Sequence, residues 1–444
     1  PDEPLATGWR LDRSGGALTV LDDAGEVLDE AQWGQVAADV SLARFPDTTG
    51  ATAPTAWPTP GAPNGDGPSP TLDPADATVF LPFVMHRIDF GFRGDARVNI
   101  DRPTRPEVRV TMTVDGVTIP DVGLSLKGSA SYDTMDRKPA FNVDVNAFDP
   151  EAAYRGLDGF KLHNGNVLDP TRDRDYLTYQ LAREVGLFAP RIGWAEVWCD
   201  DDYYGLYIVV EDHDDEMIEY YFPGQQDLGV VLEPNEDSGG QFLFADFGTG
   251  KLDRSDYEEG PVPPDPNVIL ALRRSDAVVS EPPTDENLAA FFDDVDEQKF
   301  LSYLAWETVV AHTDGYKAVN NWRLYVDGTT RVIELVPSGA EWTWDFDADL
   351  WSSAGNAAQW CFANDGCARA YAERVVEVAD TADALGLYDQ FLALQEWLDP
   401  YIRTDPRYPH TEDVGSARTS TASHLVGNPE AARSQVFQQF PDLE

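Results

Sequence analysis

Lysine is scarce in this chain. Six lysines stand among 444 residues, and lysine and arginine together number 32 against 79 Asp and Glu, a formal net charge of −47 at pH 7. A nucleic acid is thereby excluded as a partner, because a phosphate backbone is recognised through a basic footprint. An anionic membrane surface is excluded for the same reason. No run of about 18 apolar residues occurs, so no membrane-spanning helix is expected. No G-x-S-x-G motif is present to build a hydrolase nucleophile elbow. Cysteine is limited to three residues, and Cys199 has no His/Cys cluster around it for zinc. His163 and His312 are likewise too scattered for a zinc site. What remains is a chain with 42% hydrophobic residues and twelve tryptophans, enough for a real core. Its acidity fits a salty or extracellular setting in which cations collect on the surface. Cys361 and Cys367 flank an Asn364-Asp365-Gly366 turn, and a local disulfide there implies an oxidising compartment. The start at Pro1-Asp2, without Met, fits the removal of an upstream segment or a cut chain.

Three regions follow from texture. Residues 1–64 carry short strand-like runs such as Ala17–Leu21 and Glu26–Leu28, separated by Gly- and Asp-rich turns, and read as a small β module. Residues 65–79 continue a Pro/Gly-rich stretch and read as a linker. Residues 80–444 form one larger domain. It opens with period-two strands at Val108–Val114, Val122–Lys127 and Ala140–Val145. A helix is expected after Asp169-Pro170-Thr171, with Asp169 as N-cap, Pro170 at the first helical position and Gly186 at the end. A hairpin follows, Ile192–Trp198 and Tyr204–Val210, turning at Asp200–Asp202. Residues 286–311 read as one helix, Trp322–Val326 and Arg331–Val336 as a second hairpin, and 225–285 give no clear element.

The chemistry concentrates in residues 306–347. A helix runs into His312-Thr313-Asp314, then Asn320-Asn321, the second hairpin, and a polar loop from Pro337 to Asp347. Phosphoryl transfer is mostly positioning and charge neutralisation. It needs an Asp beside the acceptor hydroxyl, an Asn and an acid as oxygen ligands for Mg²⁺ or Mn²⁺, and a cation on the phosphates. Asp314 supplies the first, and Asn320 or Asn321 the second. Gly128 and Ser129 open a small-residue loop suited to covering phosphates, and Lys138, at the start of the following strand, is the expected cation. The Asp345–Asp349 cluster is a candidate for Ca²⁺, which takes oxygen ligands.

In this order the chain resembles the CotH kinase family, secreted atypical kinases of the spore-coat protein H type. The resemblance rests on Leu126-Lys127-Gly128-Ser129, Lys138-Pro139-Ala140-Phe141, Tyr154–Asn164, Arg174-Asp175-Tyr176-Leu177, Tyr204–Glu211, Asp314-Gly315-Tyr316, Asn320–Tyr325 and Pro337–Trp344. It implies an α+β, two-lobed, protein-kinase-like fold that takes ATP and a divalent metal. Lys138 would hold the phosphates, Asp314 would be catalytic, Asn321 or Asn320 a metal ligand, and Glu211 a residue near the hinge. The family places an Asp after the second hairpin as main metal ligand. Here Glu341 occupies that position, one methylene longer, with Asp345 and Asp347 as nearby substitutes. Residues 1–64 resemble an incomplete lamin-tail domain, an immunoglobulin-like all-β sandwich lacking its first strands.

The expected function is a secreted or cell-surface ATP-dependent kinase acting on Ser/Thr of extracellular or envelope proteins, with ATP and a protein substrate as partners and a monomer as its state. The alternatives are a pseudokinase that serves as an adhesion or scaffolding module, or another ATP-dependent modification, such as AMP or glutamate addition, on the same fold.

Overall fold

A computed structural model describes residues 16–21, 27–33, 41–45, 51–55, 79–128, 131–165, 168–225, 228–233, 257–261, 265–407 and 414–444. The chain divides into two compact units, Pro1–Pro82 and Phe83–Glu444. In the first unit the described strands form two separate antiparallel hairpins. These are β1 (Gly16–Leu21) with β2 (Val27–Trp33), and β3 (Ser41–Phe45) with β4 (Ala51–Thr55). The rest of the expected sandwich, and most of the expected linker, lie outside the described residues.

The second unit mixes strand and helix, the α+β class expected. Its first half is a seven-stranded sheet of β5 (Met85–Phe92), β6 (Val108–Val114), β7 (Val117–Lys127), β8 (Ala140–Asp144), β9 (Gly159–His163), β10 (Ile192–Cys199) and β11 (Asp202–Val210). A short helix α1 (Ala96–Asn99) follows β5, and α2 (Arg174–Glu184) lies between β9 and β10. Neighbours pair antiparallel from β5 through β9, and β9 pairs with β11. β10 pairs antiparallel with β11 and parallel with β5, which closes the sheet on itself. The runs Val108, Val110, Met112, Val114 and Val122, Leu124, Leu126 fill its interior, one face of each pleat.

The second half is built from α3 (Asp215–Tyr221), β12 (Val230–Leu232), β13 (Tyr257–Glu259), α4 (Pro266–Val279), α5 (Asp285–Phe292), α6 (Glu297–Val309), β14 (Trp322–Val326), β15 (Ile333–Pro337), α7 (Asn356–Phe362), α8 (Asp365–Leu385), α9 (Leu387–Thr404) and α10 (Val414–Gln439). The sheet order is β13-β12-β14-β15. Trp306, Trp322 and Trp344 are fully buried in a core that α6 and α8 share. The pair Cys361–Cys367 is a disulfide joining α7 to the first turn of α8, and Asn364 between them caps α8 by accepting from the Cys367 backbone N–H at 2.9 Å.

Three expectations are corrected. The helix after Asp169 starts later, at Arg174, because Arg172 takes φ of 66°, outside the helical region. Asp169 instead gathers the approach, accepting from Thr171 Oγ1, Arg172 N and Arg174 N at 2.7, 2.9 and 3.1 Å. The single helix expected over 286–311 is two, because Asp296 accepts from Lys299 N at 2.9 Å and caps a new start. The irregular 225–285 stretch contains α4 together with short β12 and β13.

Candidate active site

A cleft of about 1340 Å³ runs between the outer face of β7–β9 and the loops that follow α6 and β15. Its roof is set by strand alternation. Ser125 and Lys127 on β7, Asn142 and Asp144 on β8, and Lys161 and His163 on β9 line it, two residues apart on each strand. Lys127 Nζ donates to His163 Nε2 at 2.7 Å, and His163 Nδ1 faces Asp175 Oδ2 at 3.2 Å in the first turn of α2. Lys161 is ion-paired to Asp212. Arg105 donates to the Gly128 carbonyl at 2.6 Å and so braces the start of the loop after β7.

The floor is the segment from His312 to Asn321. Asp314 is held at both oxygens: Asn320 Nδ2 donates to Oδ1 and Asn321 Nδ2 to Oδ2, each at 2.7 Å. Buried Glu307, near the end of α6, shapes this loop by accepting from the backbone N–H groups of Tyr316 and Lys317. His312 donates from Nε2 to the Gly339 carbonyl at 2.9 Å and lies 3.6 Å from Glu307, which ties the loop to the segment after β15. Two glycines are required by close approach. A Cβ on Gly315 would meet Glu307 Oε1 at 2.0 Å, and one on Gly339 would meet Asn321 Nδ2 at 2.5 Å. Val319 closes the turn with φ of 55°, a strained region for a β-branched residue that costs about 1–3 kcal/mol.

The electrostatics are those of a buried mixed-charge site. Burial and the nearby Lys161 charge push the Lys127 ammonium down to about 8. Burial and the Lys127 charge hold His163 down at about 3, a neutral imidazole. Burial and the neighbouring Asp169 push Asp175 up to about 8. Burial opposes protonation of His312, but the hydrogen bond and charge of Glu307 outweigh it and raise its pKa. One oxygen of Asp175 (Oδ1) and one of Glu341 (Oε2) are buried without a hydrogen-bond partner among the described residues. Orphaned buried carboxylate oxygens of this kind suit a cation.

The cleft gathers Asp314, Asn320, Asn321, Glu341, Gly128 and Glu211 from the expected set. Ser129 lies outside the described residues. Glu211 follows directly on β11 but is committed to Arg191, accepting from its backbone N–H at 2.8 Å and its Nε at 2.9 Å. Lys138 is the main correction: it precedes β8, outside the strand's pleat, and turns away from the cleft. Its ammonium is buried against Asp405, donates to the Leu206 carbonyl at 2.8 Å, and sits over the Tyr207 ring. Asp345 is also elsewhere, 3.2 Å from Arg174 and accepting from Ser420 Oγ at 3.0 Å. Asp347 is 99% exposed, and Asp349 accepts from the backbone of Trp351 and Ser352. Among the described residues the acids at 345–349 do not converge, and the groupings close enough to share an ion are His163–Asp175–Glu341 and Asp158–Asp215–Glu216.

Sequence reasoning missed Lys161, His163, Asp175 and Arg323 as cleft or cleft-facing residues. The first two were findable, since Lys161 and His163 share one face of a period-two strand. Asp175 and Arg323 give no such local signal: Asp175 reaches the site from α2 through His163, and Arg323 lines the cleft from β14.

Residues 124–376 match the family described as "CotH kinase protein". The chain is 24% identical over 233 residues to the inner spore coat protein H of Bacillus subtilis (strain 168), covering 51% of this chain and 58% of that protein. It therefore spans little more than half the length of that relative. Among solved structures it is similar to the Helicobacter pylori proinflammatory kinase CtkA at a TM-score of 0.29 and 8% identity, over 80% of this chain and 99% of the other.

Proposed function

Because the chain belongs to the CotH kinase protein family, we propose that it is an ATP- and divalent-metal-dependent protein kinase that phosphorylates Ser/Thr hydroxyls of extracellular or envelope proteins. The observation that carries this reading is the clamped Asp314. Both its oxygens are fixed by Asn320 and Asn321, in the same cleft as Lys127, Lys161 and Glu341. Clamping aims the carboxylate and leaves it acceptor-only, as a base for an acceptor hydroxyl must be. The acceptor oxygen attacks the γ-phosphorus, the bond from that phosphorus to the bridging oxygen of ADP breaks, and the hydroxyl proton passes to Asp314. Lys127 and Lys161, which line the cleft, rather than Lys138, would meet the phosphate oxygens. A divalent ion, when bound, neutralises phosphate charge, and Glu341 and Asn321 would hold it; the orphaned Glu341 Oε2 fits that role. A site outside the cytoplasm is supported by the Cys361–Cys367 disulfide and by a relative named as a spore coat protein.

The test is transfer of labelled phosphate from ATP to a protein acceptor with Mg²⁺ or Mn²⁺. Loss of transfer in Asp314→Ala is expected, and full activity in that variant would overturn the assignment. Glu341 in place of the family's Asp favours a second reading, a pseudokinase. That reading expects a nucleotide-dependent rise in Tm without transfer, whereas the kinase reading expects both.

A further inference from the structure

We propose that Thr178 is a positioning residue for the cleft: through its hydroxyl, α2 sets the turn after β15 that carries Glu341 and Trp342, both of which line the cleft. The proposal rests on the kinase reading and adds to it the group that holds one wall of the site in place.

Thr178, Thr343 and Trp344 are fully buried, and their hydrogen bonds run in one direction. Thr343 Oγ1 donates to the Ala340 carbonyl at 2.8 Å. A hydroxyl has a single proton, so at the 2.7 Å contact between the two threonines Thr178 is the donor. Thr178 Oγ1 in turn accepts from Trp344 Nε1 at 2.9 Å. The order is indole, Thr178, Thr343, carbonyl, and Thr178 is the link that does not belong to the turn. The other backbone group of Ala340 is taken by the next residue of α2: the Tyr179 hydroxyl accepts from the Ala340 N–H at 3.3 Å. Arg174, one helical turn before Thr178 and on the same face, donates to Asp345 at 3.2 Å. α2 therefore grips both ends of the segment from Ala340 to Asp345.

The turn needs that grip because its backbone is strained. Trp344 has φ of 55°, a region disfavoured for a bulky residue. It stays there with its backbone N–H on the Val310 carbonyl at 2.9 Å and its indole on Thr178. Glu341 Oε2 has no hydrogen-bond partner among the described residues, so the backbone beneath it carries the task of aiming it. Valine in place of Thr178 removes one hydroxyl at nearly constant volume. It leaves the buried Trp344 indole N–H unpaired and Thr343 without its donor. Trp306 Nε1 keeps its bond to the residue 178 carbonyl, now 3.0 Å. The change thus reaches the turn and spares the seating of α2 on α6.

The experiment compares the full chain with Thr178→Val and Thr178→Ser, by amide hydrogen exchange and by phosphate transfer from ATP. In Thr178→Val, exchange across residues 340–344 should rise by about tenfold or more while α2 and α6 keep the parent rates. The kcat should fall by about tenfold or more with KM for ATP unchanged, because a displaced Glu341 disturbs alignment for transfer rather than capture of nucleotide. Thr178→Ser keeps the hydroxyl and should restore both readings. Unchanged exchange over 340–344, a rise spread evenly along the chain, an unchanged kcat, or a serine variant that behaves like the valine one would each overturn the proposal. If Thr178→Val does not fold, Thr343→Ala, which breaks the same chain of hydrogen bonds one link on, decides by the same two readings. A parent chain that transfers no phosphate would sink the kinase reading alone, and exchange would still decide whether α2 holds this turn.

Discussion

Two lysines, Lys138 buried and Lys127 half-buried, sit on the closed sheet and its loops, with opposite surroundings. Lys138 meets a full counter-charge, Asp405, whose Oδ2 also accepts from the Leu206 backbone N–H at 3.0 Å. Asp405 follows α9, so this pair fastens the helical half to the back of the strands. Lys127 meets a neutral imidazole, with its nearest carboxylates one step away. A lysine with a buried, hydrogen-bonded anion is spent on structure. One leaning on a neutral acceptor keeps its charge available to an incoming anion.

The sharpest way to break the comparison is to remove each ammonium. Lys127→Met should lower phosphate transfer by about 10²-fold or more while leaving the melting temperature near the parent value, as loss of one preorganised phosphate contact does. A matching loss in Lys138→Met, at full stability, would reverse the two roles. Lys138→Met should instead destabilise the fold by about 3–5 kcal/mol, because it strands Asp405 uncompensated. Denaturant unfolding measures this, and a second change, Asp405→Leu, should restore much of the loss.

How much of this was legible beforehand depends on how local the signal is. β6 and β14 were readable to the residue, since alternation and turn chemistry act over a few positions. The Asp314–Asn321 segment was readable as the loop between a helix and the second hairpin. Lys138 was misplaced because a lysine before a strand has no pleat to fix its direction. Its partner lies 267 residues later, and no local pattern announces that pairing. His163 was set aside because a lone histidine in a strand lacks ligand spacing; Asp175 and Glu341 join it only through the packing of α2 and the loop after β15. The split of 286–311 was missed because apolar periodicity runs on through Asp296, while the cap is a single side-chain choice.

A smaller effect separates the floor from the back. His312 has a folded pKa raised above its ordinary 6.5 by Glu307. Its contribution to stability is therefore complete below pH 6.5 and is lost as pH rises through the folded value. Thermal unfolding from pH 6 to 9 should show the parent chain losing stability against His312→Gln over that rise. A pH-independent difference between the two would assign His312 to packing alone. The smallest effect is expected at the disulfide, remote from both lysines. Its short loop gives about 2 kcal/mol of stabilisation, so reduction should lower the melting temperature modestly and leave phosphate transfer unchanged.

The ring of seven strands has a colloidal consequence. A net charge of −47 keeps copies apart in dilute buffer, but the range of that repulsion shrinks from about 10 Å at 0.1 M salt to about 3 Å at 1 M. In brine, charge no longer prevents neighbours from touching, and an open sheet edge would then template strand-to-strand association. This sheet closes through the β5–β10 pairing and offers no such edge. For these seven strands, closure guards against edge pairing under the conditions in which acidity no longer can.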